Sequence, residues 1–133
     1  MKETHPAMVA ARNSWRCVQG KLKDEWLGLM AEDVVIEDPI GRSPLDPEGR
    51  GHRGKAAASA FWDRNIGPSS IQIEPHKSFT CGSEAAHLLT LTTTLSTGQT
   101  LQVHGIFTYR VDAAGLLVSL RGFWDMTDMK QVA

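Results

Sequence analysis

Asp38 is the residue whose neighbours best equip it for chemistry. It closes the apolar, β-branched run Val34-Val35-Ile36 and stands directly before Pro39. Strand alternation puts Val34, Ile36 and Asp38 on a common face. If that face is the core side, a carboxylate is held at the edge of an apolar cavity. Desolvation then lifts its pKa toward values suited to moving protons from carbon. The other reading is a plain turn-capping aspartate ahead of a proline.

Other reactive residue types form no comparable arrangement. The string Gly49-Arg50-Gly51-His52-Arg53-Gly54-Lys55 matches a dinucleotide glycine fingerprint and most of a phosphate loop. Either motif needs a buried strand running straight into the glycines, and here Ser43-Pro44-Leu45-Asp46-Pro47-Glu48 precedes them. Ala56 also stands where a magnesium-binding hydroxyl is required, so the loop reads as the cap of a following helix. The five histidines (His5, His52, His76, His87 and His104) have no metal-ligand spacing, and no metal site is expected. Glu32, Asp33 and Glu37 read as solvated turn and strand-edge carboxylates, and no nucleophile elbow or triad is present. Cys17 and Cys81 fit no zinc or redox motif and are expected to be reduced, partly buried thiols.

The elements that must position Asp38 fall into two blocks. Met8, Ala11, Trp15 and Val18 recur at helical spacing, with Thr4 as a candidate cap, Pro6 in the first turn and Gly20 at the end. A shorter helix carries Trp26, Leu27 and Met30, the strand 34–36 follows, and a Gly/Pro-rich loop spans Gly41 to Gly54. Lys55 to Ile66 forms a third helix containing Ala60-Phe61-Trp62. After Gly67-Pro68 the pattern turns to strands: Ile71 and Ile73 alternate with polar residues, then come strands over 85–96, Leu101–Val111 and Leu116–Met126. Helices followed by a meander define an α+β fold, helices packed on one face of a curved sheet.

Taking Thr97-Gly98 and Ala113-Ala114 as tight turns sets a register. It places Leu88 opposite Phe107, Thr90 opposite Gly105, Phe107 opposite Leu120, and Val103 opposite Trp124. The inner face then carries Leu88, Thr90, Phe107, Tyr109, Leu120, Gly122 and Trp124, with His87 and His104 on the outer face. Gly105 and Gly122, facing each other among large residues, suggest either a sheet bend with a filled core or an open conical space. A bulge near Asp112-Gly115 would move every later residue to the other face.

Length and composition exclude several classes. The chain has 133 residues, one domain's worth (1–133), with 41% hydrophobic and 22% charged residues, an ordinary globular profile. No apolar run approaches a membrane span, and a net charge of −1 gives no basic excess for nucleic acid. Met1-Lys2-Glu3-Thr4-His5-Pro6 lacks the apolar stretch of a signal peptide, so a cytoplasmic protein is expected.

The run Ala31-Glu32-Asp33-Val34-Val35-Ile36-Glu37-Asp38-Pro39-Ile40-Gly41 closely resembles the signature of the Δ5-3-ketosteroid isomerases, whose base is the aspartate of a Glu-Asp-Pro-x-Gly run. The likeness continues in Ala60-Phe61-Trp62, Phe107-Thr108-Tyr109-Arg110 and Gly115 through Trp124, in the same order of elements. The closest likeness is to actinobacterial ketosteroid isomerase-like proteins, within the wider NTF2-like (SnoaL and ketosteroid isomerase) superfold, which hosts many functions. The resemblance implies a cone-shaped α+β domain with a deep apolar pocket, a homodimer through the outer sheet face and no cofactor. It implies a steroid or similar planar apolar ligand, with Asp38 as the base that moves a double bond into conjugation with a ketone. The ligand-binding set it implies, read with the register above, is Ser14, Val18, Phe61, Trp62, Leu88, Thr90, Phe107, Tyr109, Leu120 and Trp124.

The family stabilises its dienolate with a tyrosine and a protonated aspartic acid. Those donors do not carry over: the tyrosine position falls on Ser14 and the acidic one on Phe107, while Trp62 replaces a backing tyrosine. Losing one oxyanion donor typically costs about 2.7–4 kcal/mol. The substitutes to consider are a water held by Ser14 or Thr90, the indole of Trp62 or Trp124, and Tyr109. A slowed isomerase, an enzyme with another substrate, and a non-catalytic carrier of planar hydrophobic ligands all suit an aspartate without those donors.

Overall fold

The computed structural model describes residues 2–133. Three helical segments pack on the concave face of a strongly curved mixed sheet. Helix α1 (Pro6–Gly20) starts with Pro6, and the His5 ring, rather than Thr4, caps it by accepting from the Ala7 amide at 3.1 Å. The left-handed Lys21 (φ 59°) ends it, and the Leu22 amide returns to the Cys17 carbonyl at 2.8 Å. Ala7, Ala11, Cys17 and Val18 lie on its buried side. Helix α2 (Lys23–Gly28) buries Trp26, but Met30 belongs to strand β1 (Met30–Glu37), not to this helix.

The Gly/Pro-rich loop is more ordered than its composition suggests. It contains β2 (His52–Arg53), paired antiparallel with β1. Asp46 accepts from the amides of Gly49 at 3.2 Å and Gly51 at 2.8 Å. Those amides therefore serve the loop itself and do not converge on a phosphate position. Helix α3 (Lys55–Phe61) continues into a π-helical turn at Trp62–Ile66.

Strands β3 (Ser70–Cys81), β4 (Glu84–Thr94), β5 (Thr100–Val111), β6 (Leu117–Phe123) and β7 (Lys130–Gln131) complete the sheet. Its order is β2-β1-β6-β5-β4-β3, with β7 on β5. The β1–β6 pair is parallel and the others antiparallel, so the strands are not a pure meander.

The hairpins correct the expected register. Between β4 and β5, Leu95 and Gln99 close the ladder around the three residues Ser96-Thr97-Gly98, with Gly98 at φ 89°. A three-residue loop ending in a left-handed glycine replaces the two-residue Thr97-Gly98 turn. Pairing shifts by one: Leu88 lies opposite Ile106, His87 opposite Phe107, and Leu89 opposite Gly105. Leu88 and Thr90 therefore face outward, while His87, Leu89 and Leu91 face inward.

Between β5 and β6 the Asp112–Leu116 loop and a bulge at Arg110/Val111 move the pairing by two residues. Phe107 thus faces Gly122, and Tyr109 faces Leu120. An even shift preserves which face each residue occupies. The cysteines also differ from each other: Cys17 is buried and Cys81 exposed, both free.

Candidate active site

Helices and inner sheet face do not close on each other. They enclose a cavity of about 350 Å³ with a predominantly apolar wall, within the size range of small-molecule sites. Ser14, Trp15 and Val18 of α1, Phe61 of α3, and Leu89, Val103, Phe107, Tyr109 and Leu120 of the sheet contribute to it. Trp124, just beyond β6, and Asp38 complete one end.

Asp38 reaches that wall because of β1. Val34 and Ile36 are fully buried, and Glu37 turns the other way to meet Arg121 Nε at 3.1 Å. The next residue must point inward, as alternation requires. Downstream, the Ile40 amide donates to the Gly122 carbonyl at 3.1 Å, pinning the turn onto β6. Trp124 Nε1 donates to Asp38 Oδ1 at 2.6 Å. Burial raises the Asp38 carboxyl to about 6, partly opposed by the Trp124 hydrogen bond. A carboxylate near 6 is ionised at neutral pH and still basic enough to accept a proton from carbon.

Gly122 makes this contact sterically possible. A Cβ at that position would lie 2.5 Å from Asp38 Oδ1, 2.8 Å from Trp124 Nε1 and 2.9 Å from Phe107 Cε2. The glycine is required for space. The sequence singles it out, facing Gly105, as a mark of either a sheet bend or an open space, whereas it lies opposite Phe107 and makes room for the Asp38–Trp124 contact.

Of the expected ligand-contacting residues, Ser14, Val18, Phe61, Phe107, Tyr109, Leu120 and Trp124 line the cavity together with Asp38. Trp62 is buried but stacks on Trp26, with ring centroids 5.1 Å apart, and is not part of the wall. Trp62 follows Phe61 on a regular helical turn, so its side chain points about 100° away from the cavity-lining Phe61 and toward α2. Leu88 and Thr90 lie outside, where Thr90 Oγ1 bonds His76 at 2.7 Å and His104 at 2.8 Å. Sequence reading missed Leu89 and Leu91 as wall residues. The glycine that marks a three-residue loop was the signal for them.

Two of the hydroxyls on the wall are bonded by indoles. Trp15 Nε1 donates to Tyr109 Oη at 2.9 Å, and Trp26 Nε1 donates to Ser14 Oγ at 3.1 Å. Burial pushes the Tyr109 hydroxyl well above its ordinary pKa, the Trp15 bond opposes this, and the Asp38 charge adds to the rise. Tyr109 therefore stays protonated throughout the working pH range.

His87 packs edge-on to Trp15 and Tyr109 and shares a 2.7 Å hydrogen bond with Ser78 Oγ, while its Nε2 has no partner. Burial lowers its pKa to about 4, with the Arg12 charge adding to the effect. An unfolded histidine binds its proton near 6.5, so stability due to the neutral ring is present above that value and lost as pH falls toward 4. We predict that His87→Phe flattens the fall in urea-unfolding free energy between pH 6.5 and 4 by on the order of 2 kcal/mol. An unchanged slope would refute the assignment.

Comparison with known proteins places this geometry. A SnoaL-like domain profile matches residues 11–120. The chain belongs to the SnoaL-like family, on its ketosteroid isomerase-like branch. It is 46% identical to a Δ5-3-ketosteroid isomerase from Mycobacterium sp., with TM-score 0.94, covering 97% of this chain and 100% of that one. It is 43% identical to a Mycobacterium tuberculosis protein solved in complex with estradiol-17β-hemisuccinate, with TM-score 0.92, covering 96% and 99%. A computationally designed 17-OHP binder is 40% identical, with TM-score 0.94, covering 97% and 100%. Comparison with curated proteins gave no match. The NTF2-like fold of these relatives is the α+β architecture described above. Among the described residues, no helix is long and apolar enough to cross a membrane.

Proposed function

We propose that the protein is a steroid Δ-isomerase-like enzyme, moving a C=C bond of a ketosteroid or similar flat apolar ketone into conjugation. The observation that carries this reading is Asp38: a carboxylate with its pKa lifted to about 6, in the wall of an apolar cavity and oriented by Trp124. Asp38 takes the proton alpha to the carbonyl, and the C–H electrons flow toward oxygen to give a dienolate. The resulting carboxylic acid then returns the proton two carbons further along, regenerating carboxylate and ketone. No redox partner is needed, because electrons only redistribute within the substrate. The relatives at 40–46% identity support a steroid-sized ligand.

The assay is ultraviolet detection of the conjugated enone formed from a Δ5-3-ketosteroid. The base must be ionised to act, so kcat/KM is expected to rise with pH through about 6 and level off above it. A second reading, a non-catalytic binder of steroids or planar hydrophobic ligands, is favoured by Phe107 and Ser14 standing where the family keeps its oxyanion donors. Tight steroid binding without enone formation would select it and overturn the isomerase. We place the protein in the cytoplasm, where the free thiols Cys17 and Cys81 stay reduced. Two copies are proposed to meet through the outer sheet face, on which Phe79, Ile106 and Phe123 are exposed.

A further inference from the structure

We infer that Tyr109, held by Trp15, donates the hydrogen bond that fixes the substrate's carbonyl oxygen and stabilises the dienolate. This inference rests on the site proposed above. A dienolate concentrates charge on one oxygen, and a water-excluding cavity must meet that charge with a donor already in place. The cavity has few candidates. Trp124's N–H is committed to Asp38, Thr90 faces outward, and Trp62 is not on the wall. Arg64, Asn65 and Ser69 line the wall from the π-helical turn and the segment leading to β3, and Thr93 pairs with Leu101, six residues along β5 from Phe107, so none of the four shares the strand register of Asp38. The two hydroxyls held by buried indoles, Ser14 and Tyr109, remain.

Tyr109 combines the required features. It rises from β5, and its Oη meets Trp15 on α1, so the phenol bridges from sheet to helix at the cavity wall. Accepting from Trp15 occupies a lone pair of Oη and leaves the hydroxyl's own proton free: among the described residues no protein group accepts it. Accepting one hydrogen bond also makes the O–H a stronger donor.

The register sets Tyr109 beside the base. It pairs with Leu120, which pairs with Ile36, two residues before Asp38 on the same face. The Asp38 charge is felt at the Tyr109 hydroxyl, which burial keeps un-ionised. Donor and base thus share one end of the cavity. The donor comes from a strand position two residues beyond Phe107, where sequence resemblance expects an acid and finds none.

A phenolic steroid offers its ring oxygen as a dienolate mimic and requires no proton transfer to carbon. The experiment measures the affinity of estradiol and of its 3-methyl ether, whose oxygen cannot take on phenolate charge and is crowded by its methyl group against an approaching donor, for the full chain and three variants. The unsubstituted protein is expected to prefer the phenol. Tyr109→Phe is expected to lose about 10- to 100-fold in phenol affinity while ether affinity stays within about threefold. Trp15→Phe is expected to reduce the phenol preference less. If Tyr109→Phe loses both ligands, Trp15→Phe carries the test and must still narrow the preference.

The assignment is overturned if the unsubstituted protein has no phenol preference. It is equally overturned if Tyr109→Phe keeps the preference, or if Ser14→Ala loses it in Tyr109's place. The two readings fail separately. Selective loss in Tyr109→Phe without any enone turnover removes the isomerase and keeps the donor. Asp38-dependent turnover with an unchanged Tyr109→Phe removes the donor and keeps the base.

Discussion

Asp38→Asn is expected to lose about 10²–10⁴-fold in enone formation and, at the same time, to gain stability above pH 6. The substitution is nearly isosteric, and its amide oxygen still accepts from Trp124, which now bonds Oδ1 at 2.6 Å. The site geometry is therefore kept and only the ionisable carboxylate is removed. The stability gain follows from linkage. The folded carboxyl binds its proton near 6, against an ordinary value of 3.8. The folded state thus holds the proton more tightly, and this contribution is fully present below 3.8 and lost as pH rises through 6. Above 6 the unsubstituted protein carries a desolvated charge that asparagine does not, a difference on the order of 2–3 kcal/mol. Urea unfolding at pH 7.5 and pH 4 measures it: the variant should be more stable at the higher pH, with the gap narrowing at the lower. Retained turnover, or a variant less stable at pH 7.5, would contradict the buried-base assignment.

Gly122→Ala produces the second large effect through one methyl group. The added Cβ meets Asp38 Oδ1, Trp124 Nε1 and Phe107 Cε2 all inside 3 Å, so the three cannot keep their places together. Overpacking of this kind costs about 1–3 kcal/mol. The functional loss should be greater than the stability loss implies. Forcing Trp124 from Asp38 removes the one interaction that lowers the carboxyl's pKa, so the base climbs further and its pH–rate midpoint moves upward from about 6. Displacing a reacting group by an ångström can cost about 100-fold in rate. Thermal melting and the pH profile of kcat/KM test both effects. A variant with an unshifted midpoint and full turnover would show that Gly122 is not holding the contact open.

Much of this site was legible in sequence because its local signals were strong. Val34, Ile36 and Asp38 share a face by simple alternation, and Pro39 ends the strand where the carboxylate is needed. Strand β5 alternates over its whole length, so Phe107 and Tyr109 were placed correctly. Leu88 and Thr90 were misplaced by one residue of loop length: Thr97-Gly98 reads as a two-residue turn, and including Ser96 reverses every face of β4. The same kind of error between β5 and β6 amounted to two residues, which is why Leu120 and Trp124 still landed inside. Trp62 came from the family resemblance and not from a pattern in the chain, and the helical step from Phe61 turns it toward Trp26 and off the wall. The Trp124–Asp38 bond spans 86 residues and leaves no local pattern to read.

The parallel pairing of β1 with β6 has a consequence for how the molecule comes into being. Apart from the two-residue β2, β6 is the neighbour through which β1 joins the sheet. During synthesis, Asp38 leaves the ribosome with its strand almost unpaired, while β3, β4 and β5 can zip together as consecutive hairpins. Only when residues 117–123 emerge do the two halves acquire a shared seam. The last long strand to be made is therefore the keystone, and until it arrives the nascent chain has the Asp38 carboxylate but no chamber around it.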